Sequence, residues 1–415
     1  MNAPAAPSRP APPRASAEFI LLMAALMSMV ALSIDAMLPA LAQIGHTLGS
    51  PDANSNQLVI SALFLGFGFG QLLYGPMADA LGRKPAIYTG LGLFLLGSIA
   101  CMSAQSFPAM LAGRFLQGLG VASPRTITLA LVRDQYLGPE MARIMSLIMA
   151  VFILTPALAP ALGQVILLVA PWRAIFAMLL LMGLLTLTWF ALRQPETLPA
   201  ARRVPFSLRQ TLREARSVFA HRRSLAYMVV AGLSFGAFVG YLTSAQQLLQ
   251  EQFGLGEKFP LYFGALALCI GAGSITNSRL LRRFEVQKLT RSAIGVFTTL
   301  STVTWCALYL GHAPLSLTGL MLWGGVSFFC MGFVFGNANA MAMAPFGHMA
   351  GVAAAVVGAF STFVSVTLGT LIGQSYDGAA TPLIGGFALL GALALGILTW
   401  AHARPEPVEV EASGG

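Results

Sequence analysis

Asp35 is a carboxylate inside an apolar tract, Phe19 to Leu41, that holds no other charge. At mid-helix in lipid such a group costs roughly 2.5 to 3.5 kcal/mol, so it faces a cavity or a partner and has a use. Pro39 follows four residues on. Its missing N–H leaves the Asp35 carbonyl unpaired within a helix, which weakens the helix beside its one interior carboxylate. Asp35 stands about six residues, or roughly 9 Å at the helical rise, from the end of its tract. Arg114 stands six residues into a tract that starts at Pro108 and runs the opposite way. The two therefore fall at similar depths. A nearby guanidinium lowers a carboxylate's pKa and desolvation raises it, so a group moving between those settings takes up and releases a proton. Asp35 is expected to carry the proton and Arg114 to be its electrostatic partner; the alternative is a permanent ion pair that only orients two helices.

Arg125 lies eleven residues beyond Arg114, three turns along the same face, with Gly118 and Val121 between. It either attracts anionic substrate groups or reaches its charge back to the interface. The run Gly75 to Pro85 is a second charged group, with Gly75 suited to close helix approach, Gly82 to a tight turn, and Asp79, Arg83 and Lys84 around it. Gln71, Tyr74, Gln117, Gln246, Asn337 and Asn339 are polar groups within apolar tracts. They are candidates for a substrate path, with hydrogen bonding between helices as the plainer role. Pro156, Pro160 and Gly163 supply bending and close approach to a further tract.

Other chemistries lack their residues. The four cysteines, Cys101, Cys269, Cys306 and Cys330, sit singly in apolar tracts, and the five histidines are scattered. Neither a disulfide framework, a metal site nor a catalytic nucleophile with its base is indicated. No Gly-Lys pair exists for a phosphate loop. No cofactor is expected, and the coupling ion would be the proton.

The elements that must position these groups follow from composition. Apolar residues make up 56% of the 415 and charged residues 9%, far from a soluble balance. Windows of about 20 apolar residues place spans near 17–41, 54–78, 86–105, 108–131, 141–169, 172–192, 224–249, 259–280, 288–311, 315–341, 349–373 and 380–402. The fold class is all-α integral membrane, with twelve helices in two pseudo-symmetric six-helix bundles, 17–192 and 224–403. Between them, 193–223 is a basic cytoplasmic linker holding eight arginines. Residues 1–16 and 404–415 read as cytoplasmic tails, the first disordered on its Pro- and Ala-rich composition. Ala40 to Ala42 mimic a signal-peptidase site, but the preceding run is too long for a signal peptide and similar spans follow. Twenty of the 24 basic residues fall on one side of an alternating topology. That is the positive-inside pattern with both termini inside, and it sets aside a nucleic-acid-binding surface. Basic turns recur after the second span of each half, at Gly75–Lys84 and Asn277–Arg283, a repeat at a six-span interval with the path between halves.

Gly75-Pro-Met-Ala-Asp79-Ala-Leu-Gly82-Arg83-Lys84-Pro85 closely resembles the signature loop of the major facilitator superfamily. Arg114-Phe-Leu-Gln117-Gly118-Leu-Gly120 resembles its fourth-helix motif, and Ser33-Ile-Asp35-Ala-Met-Leu-Pro39-Ala-Leu41 the first helix of its Bcr/CflA branch of bicyclomycin and chloramphenicol exporters. Val132-Arg133-Asp134, Asn277-Ser278-Arg279 and His348-Met349-Ala350-Gly351 extend the resemblance over nearly the whole chain. The fifth-helix antiporter motif is kept only in part, reading Ala159-Pro160-Ala161-Leu162-Gly163-Gln164 where the family usually ends Gly-Pro-x-x-Gly-Gly. The resemblance implies a cytoplasmic gate at Gly75, Asp79, Gly82, Arg83 and Lys84. It also implies a monomeric transporter of the bacterial inner membrane that exports small hydrophobic or amphipathic drugs against protons by alternating access. Import or facilitation of a nutrient, or export of a metabolite such as an amino acid or peptide, is the alternative.

Overall fold

The computed structural model describes residues 15–205, 207–311 and 315–403. Of the expected tails, 1–16 and 404–415, all but Ala15 and Ser16 lie outside the described residues, with Arg9, Arg14 and Arg404, as does His312. Ser16 belongs to the first helix as its N-cap. Twelve helices among those described are long and apolar enough to cross a membrane. They are α1 (Ala17–Leu48), α2 (Asn54–Leu81), α3 (Arg83–Ser103), α4 (Phe107–Gln135), α5 (Gly138–Val169) and α6 (Arg173–Arg193) in the first half. The second half holds α7 (Arg222–Gln252), α8 (Gly256–Leu280), α9 (Val286–Tyr309), α10 (Leu317–Gly347), α11 (Ala350–Gln374) and α12 (Thr381–His402). A linker helix, Leu208–Ala220, precedes α7 and packs against α7 and α11.

Helices are the solution lipid allows, because each backbone N–H and C=O finds its partner within the segment. Their starts are written locally. Ser16, Ser106 and Ser316 accept from backbone N–H groups three residues on, and Pro108, Pro139, Pro260 and Pro382 occupy first turns, where no N–H is needed. Leu96, Leu158, Leu185 and Leu322 lie on exposed apolar faces suited to lipid.

Packing repeats at a six-helix interval. Within the first half α1 packs on α5, α2 on α4 and α3 on α6; within the second, α7 packs on α11, α8 on α10 and α9 on α12. The halves meet along α2 with α11 and along α8 with α5, a pair of seams related by the same interval. The described chain begins and ends at one face, which also carries the linker and is called the basic face below. The other is the far face.

Candidate translocation site

The expected weakness at Pro39 is a break in α1. The helix is α-helical over Ala17–Asp35, turns through Ala36 and Met37, runs as a 3-10 segment over Leu38–Ala40 and resumes over Leu41–Leu48. Asp35 is thus the last residue before the break, only 4% exposed. Among the described residues its carboxylate makes no hydrogen bond or ion pair. Helix α5 holds the break in place. Gly163 lies directly against the Ala36 carbonyl oxygen, which a Cβ would overlap, and Thr155 Oγ1 donates to Ser28 Oγ at 2.9 Å. The helix carrying Pro156, Pro160 and Gly163 itself runs unbroken from Gly138 to Val169.

Arg114 corrects an expectation. It is fully buried but does not pair with Asp35. Nε donates to the Val59 carbonyl at 3.1 Å, Nη1 to Gln117 Oε1 at 2.5 Å and Nη2 to the Ser33 carbonyl at 2.9 Å. The reason lies in the break. Ser33 sits in the last α-helical turn before it, where carbonyls lose their intrahelical donors and the helix end carries partial negative charge. A cation seated there caps α1, so the depth argument brought Arg114 to the right turn of α1 but to backbone in place of the carboxylate. Gln117 passes the connection to α3 by donating to Ser98 Oγ at 2.8 Å, so it belongs to this cap, away from any open path.

Arg125 is half-buried, with its guanidinium carbon 5.5 Å from the centre of the Phe152 ring on α5. Gln71 Nε2 crosses between halves to Thr362 Oγ1 at 2.9 Å, one turn from the buried Tyr74. Gln246 and Asn337 are engaged within the second half. Gln246 donates to Glu251 Oε1 at 3.0 Å, and Asn337 exchanges two bonds with Asn277 at 2.9 and 3.1 Å. Bonding between helices fits Asn337, which ties α10 to α8, whereas the Gln246 bond stays within α7. Asn339 is exposed and donates to its own helix at the Phe335 carbonyl.

On the basic face the signature loop forms a compact charge cluster. Gly82 adopts φ +111°, a value open to glycine, and this turns the chain from α2 into α3. Arg83 then returns to Asp79 at 2.5 Å and reaches Asp134, at the end of α4, at 2.9 Å. The Asp79 carboxylate lies beside Gly351, second residue of α11, so it meets the positive end of a helix from the other half. Gly75, one turn earlier, faces Ala355 and the Gly351 carbonyl across enough space for a methyl group, so the close helix approach expected at this glycine is not required here. Lys84 Nζ donates to the Ala191 carbonyl at 3.3 Å.

Two participants were missed from sequence. Asp134 stood in the Val132-Arg133-Asp134 match without a partner in view. Glu196, in the linker, accepts from the backbone N–H groups of Arg83 and Lys84, each at 3.0 Å, and so caps the start of α3. Partial burial pushes its carboxyl up, but bonds from the Leu198, Lys84 and Arg83 amides outweigh this and hold it below the usual glutamate value. Thr197 donates to Asp134, and Val204 N–H to the Asp79 carbonyl, so the linker is fastened to the loop on both sides.

The far face joins the halves with neutral amides. Asn54 Nδ2 donates to the Gln374 and Tyr376 carbonyls at 3.1 and 2.9 Å, and Gln374 Nε2 returns to the Asn54 carbonyl at 2.7 Å. Gln247 donates to Asn54 Oδ1 and pairs with Gln57, while Ser61 meets Thr370 at 2.7 Å. No sequence motif marks these residues, since each is an ordinary polar group at a helix end.

Comparison with known proteins agrees with this architecture. A bicyclomycin resistance protein homolog of Haemophilus influenzae is 28% identical over 390 residues, covering 92% of this chain and 96% of that protein. The multidrug resistance protein MdtL of Escherichia coli (strain K12 / DH10B) is 31% identical over 353 residues, covering 82% and 84%. Among solved structures, the xylose transporter XylE from E. coli, in a partially occluded inward-open conformation, superposes with a TM-score of 0.68 at 14% identity, over 94% of this chain and 98% of that one. The profile of the Major Facilitator Superfamily matches residues 21–373. With that profile spanning both halves and both seams, the chain belongs to the Major Facilitator Superfamily and is a multi-pass membrane transporter, not an enzyme.

Proposed function

We propose that the protein is a secondary exporter of small hydrophobic or amphipathic compounds, driven by proton antiport through alternating access. The observation that carries this reading is Asp35: a buried carboxylate with no ion-pair partner among the described residues, at a break in α1 beside the seam between halves. A carboxylate already neutralised by a permanent partner has little reason to titrate, whereas an unpaired one changes protonation as its solvation changes. Substrate enters from the basic face, the halves rock about the α2–α11 and α5–α8 seams, and the far-face amide bonds part. Protons from the far side then reach Asp35 and favour release. The names of the bicyclomycin- and multidrug-resistance relatives support a drug as cargo. The charge asymmetry supports the basic face as cytoplasmic, with both termini there, and the bacterial relatives support an inner-membrane location.

The test is transport in proteoliposomes under an imposed pH gradient, with a panel of antibiotics, amino-acid derivatives and metabolites. Gradient-driven export of at least one drug is expected, and Asp35→Asn, at unchanged protein level, should remove the gradient dependence. Full gradient-driven export by Asp35→Asn would overturn the carrier role. Nutrient uptake without drug export would reverse the assigned direction.

A further inference from the structure

Arg125 is the intramembrane charge that the proton site leaves unexplained. It lies ten residues before the basic-face end of α4 at Gln135, about 15 Å at the helical rise. Side chains on a helix lean toward its N-terminus, and α4 begins at the far face, so Arg125 leans toward the membrane centre and away from the basic-face headgroups. The structure agrees. Phe152, whose ring the guanidinium overlies, is fourteen residues along α5 from Gly138, about 21 Å from that face. The guanidinium thus sits deeper than its own backbone, the opposite of a charge reaching back to the interface.

Its surroundings supply no counter-charge. Asp134, the carboxylate on the same helix, is held by Arg83 and Thr197. Among the described residues Arg125 forms no ion pair, and its recorded partner is an aromatic face. The position is also at the right place. Ile153, next to Phe152, fills the space beside Gly271 of α8, so this wall of α5 borders a seam between the halves. Arg125 is largely buried but not sealed, unlike the fully buried Val121, Ala122, Ser123, Pro124, Ile127 and Thr128 beside it in sequence, and among the described residues no acceptor occupies its guanidinium donors. A planar acidic head would fit that fork.

We propose that Arg125, backed by Phe152, is an anion-receiving subsite of the translocation path, and that the preferred cargo is an amphipathic organic anion with a carboxylate or similar planar acidic head. This deepens the exporter reading and rests on it for the word cargo, although the binding site itself does not. Such a head neutralises the buried cation and is bound by the two-pronged geometry that a lysine lacks. The apolar remainder of the ligand would lie against the Phe152 ring.

The probes are 1-naphthoate and its uncharged methyl ester, measured for binding to purified protein by calorimetry and for transport in proteoliposomes. Wild type is expected to bind the carboxylate roughly tenfold or more tightly than the ester, the scale of one charge-assisted contact. Arg125→Gln should erase that preference, weakening acid binding far more than ester binding; Arg125→Lys, which keeps charge without the fork, should retain part of it. Equal binding of acid and ester by wild type, or an unchanged acid preference in Arg125→Gln, would overturn the subsite. If Arg125→Gln does not fold, Arg125→Lys judges the case by the same ratio, and an unaltered ratio there counts against the bidentate contact. Ester export under a pH gradient with no acid preference would defeat the subsite and spare the exporter. Acid-selective binding without gradient-driven export would do the reverse.

Discussion

Two aspartates with an arginine apiece make the instructive contrast. Asp79 and Arg83 form an ion pair at 2.5 Å on the basic face, shared with Asp134. Arg114 reaches the Ser33 carbonyl, two residues before Asp35 in the membrane interior, and does not pair with the carboxylate, because it caps that carbonyl and leaves Asp35 alone. The first arrangement is built from neighbours in sequence, four residues apart across a glycine turn, at the edge of the bilayer where desolvation is modest. The second sits where a full ion pair would be stable and inert. A transporter that must fasten its loops and still titrate its core has reason to separate these uses, and the chain does so with the same two residue types.

The sharpest way to break this contrast is Arg114→Gln. If Arg114 served Asp35 electrostatically, removing the carboxylate charge would relieve the loss. The cap geometry instead predicts a destabilisation of roughly 3 kcal/mol or more, from buried carbonyls left without donors, and the same loss in an Asp35→Asn background. Thermal unfolding of the two single variants and the double variant in detergent checks this, and a large coupling between the sites would restore the ion pair.

Asp79→Ala probes the other half of the contrast and should act more weakly. Its side chain is 45% exposed, so solvent screening holds the expected effect to about 1 kcal/mol. That is a several-fold shift in the balance of conformers, away from the one in which Asp79 faces the start of α11. Cysteine-accessibility labelling from each face would report it, and an unchanged distribution would count against a gating role.

Smallest is the effect of Glu196. Its folded pKa lies below the ordinary glutamate value, so its cap on α3 is fully present above that value and is lost as pH falls through the depressed one. Acid should therefore loosen the linker, seen as faster proteolysis between Gln194 and Ala220, and Glu196→Gln should flatten that pH dependence.

Much of the molecule was legible before any coordinates. Lipid forces helices, so spans follow from apolar length alone, and the six-helix repeat seen in packing was visible as two basic turns. Gly82 and Asp79–Arg83 were readable because local spacing dictates a local contact. Pro39 announced the break in α1 because a missing N–H is a property of the residue. The far-face amides, Glu196 and Asp134 were not legible, since their partners lie on other helices or in the linker and each looks like an ordinary helix-end polar group. Gln246 and Asn337 misled for a related reason: a buried amide in lipid must pair, but sequence does not say whether with cargo or with a neighbour.

What the sequence by itself determined, then, is everything governed by the solvent and the covalent chain: the number of spans, the weak point in α1, the glycine turn, and a costly carboxylate needing a purpose. What only the tertiary structure decided is pairing across helices. Arg114 could have satisfied its five donors on Asp35 or on carbonyls at the same depth. The break exposes the Ser33 carbonyl, and Gly163 pins the backbone there. Together these place an acceptor within the guanidinium's reach and leave Asp35 unpaired.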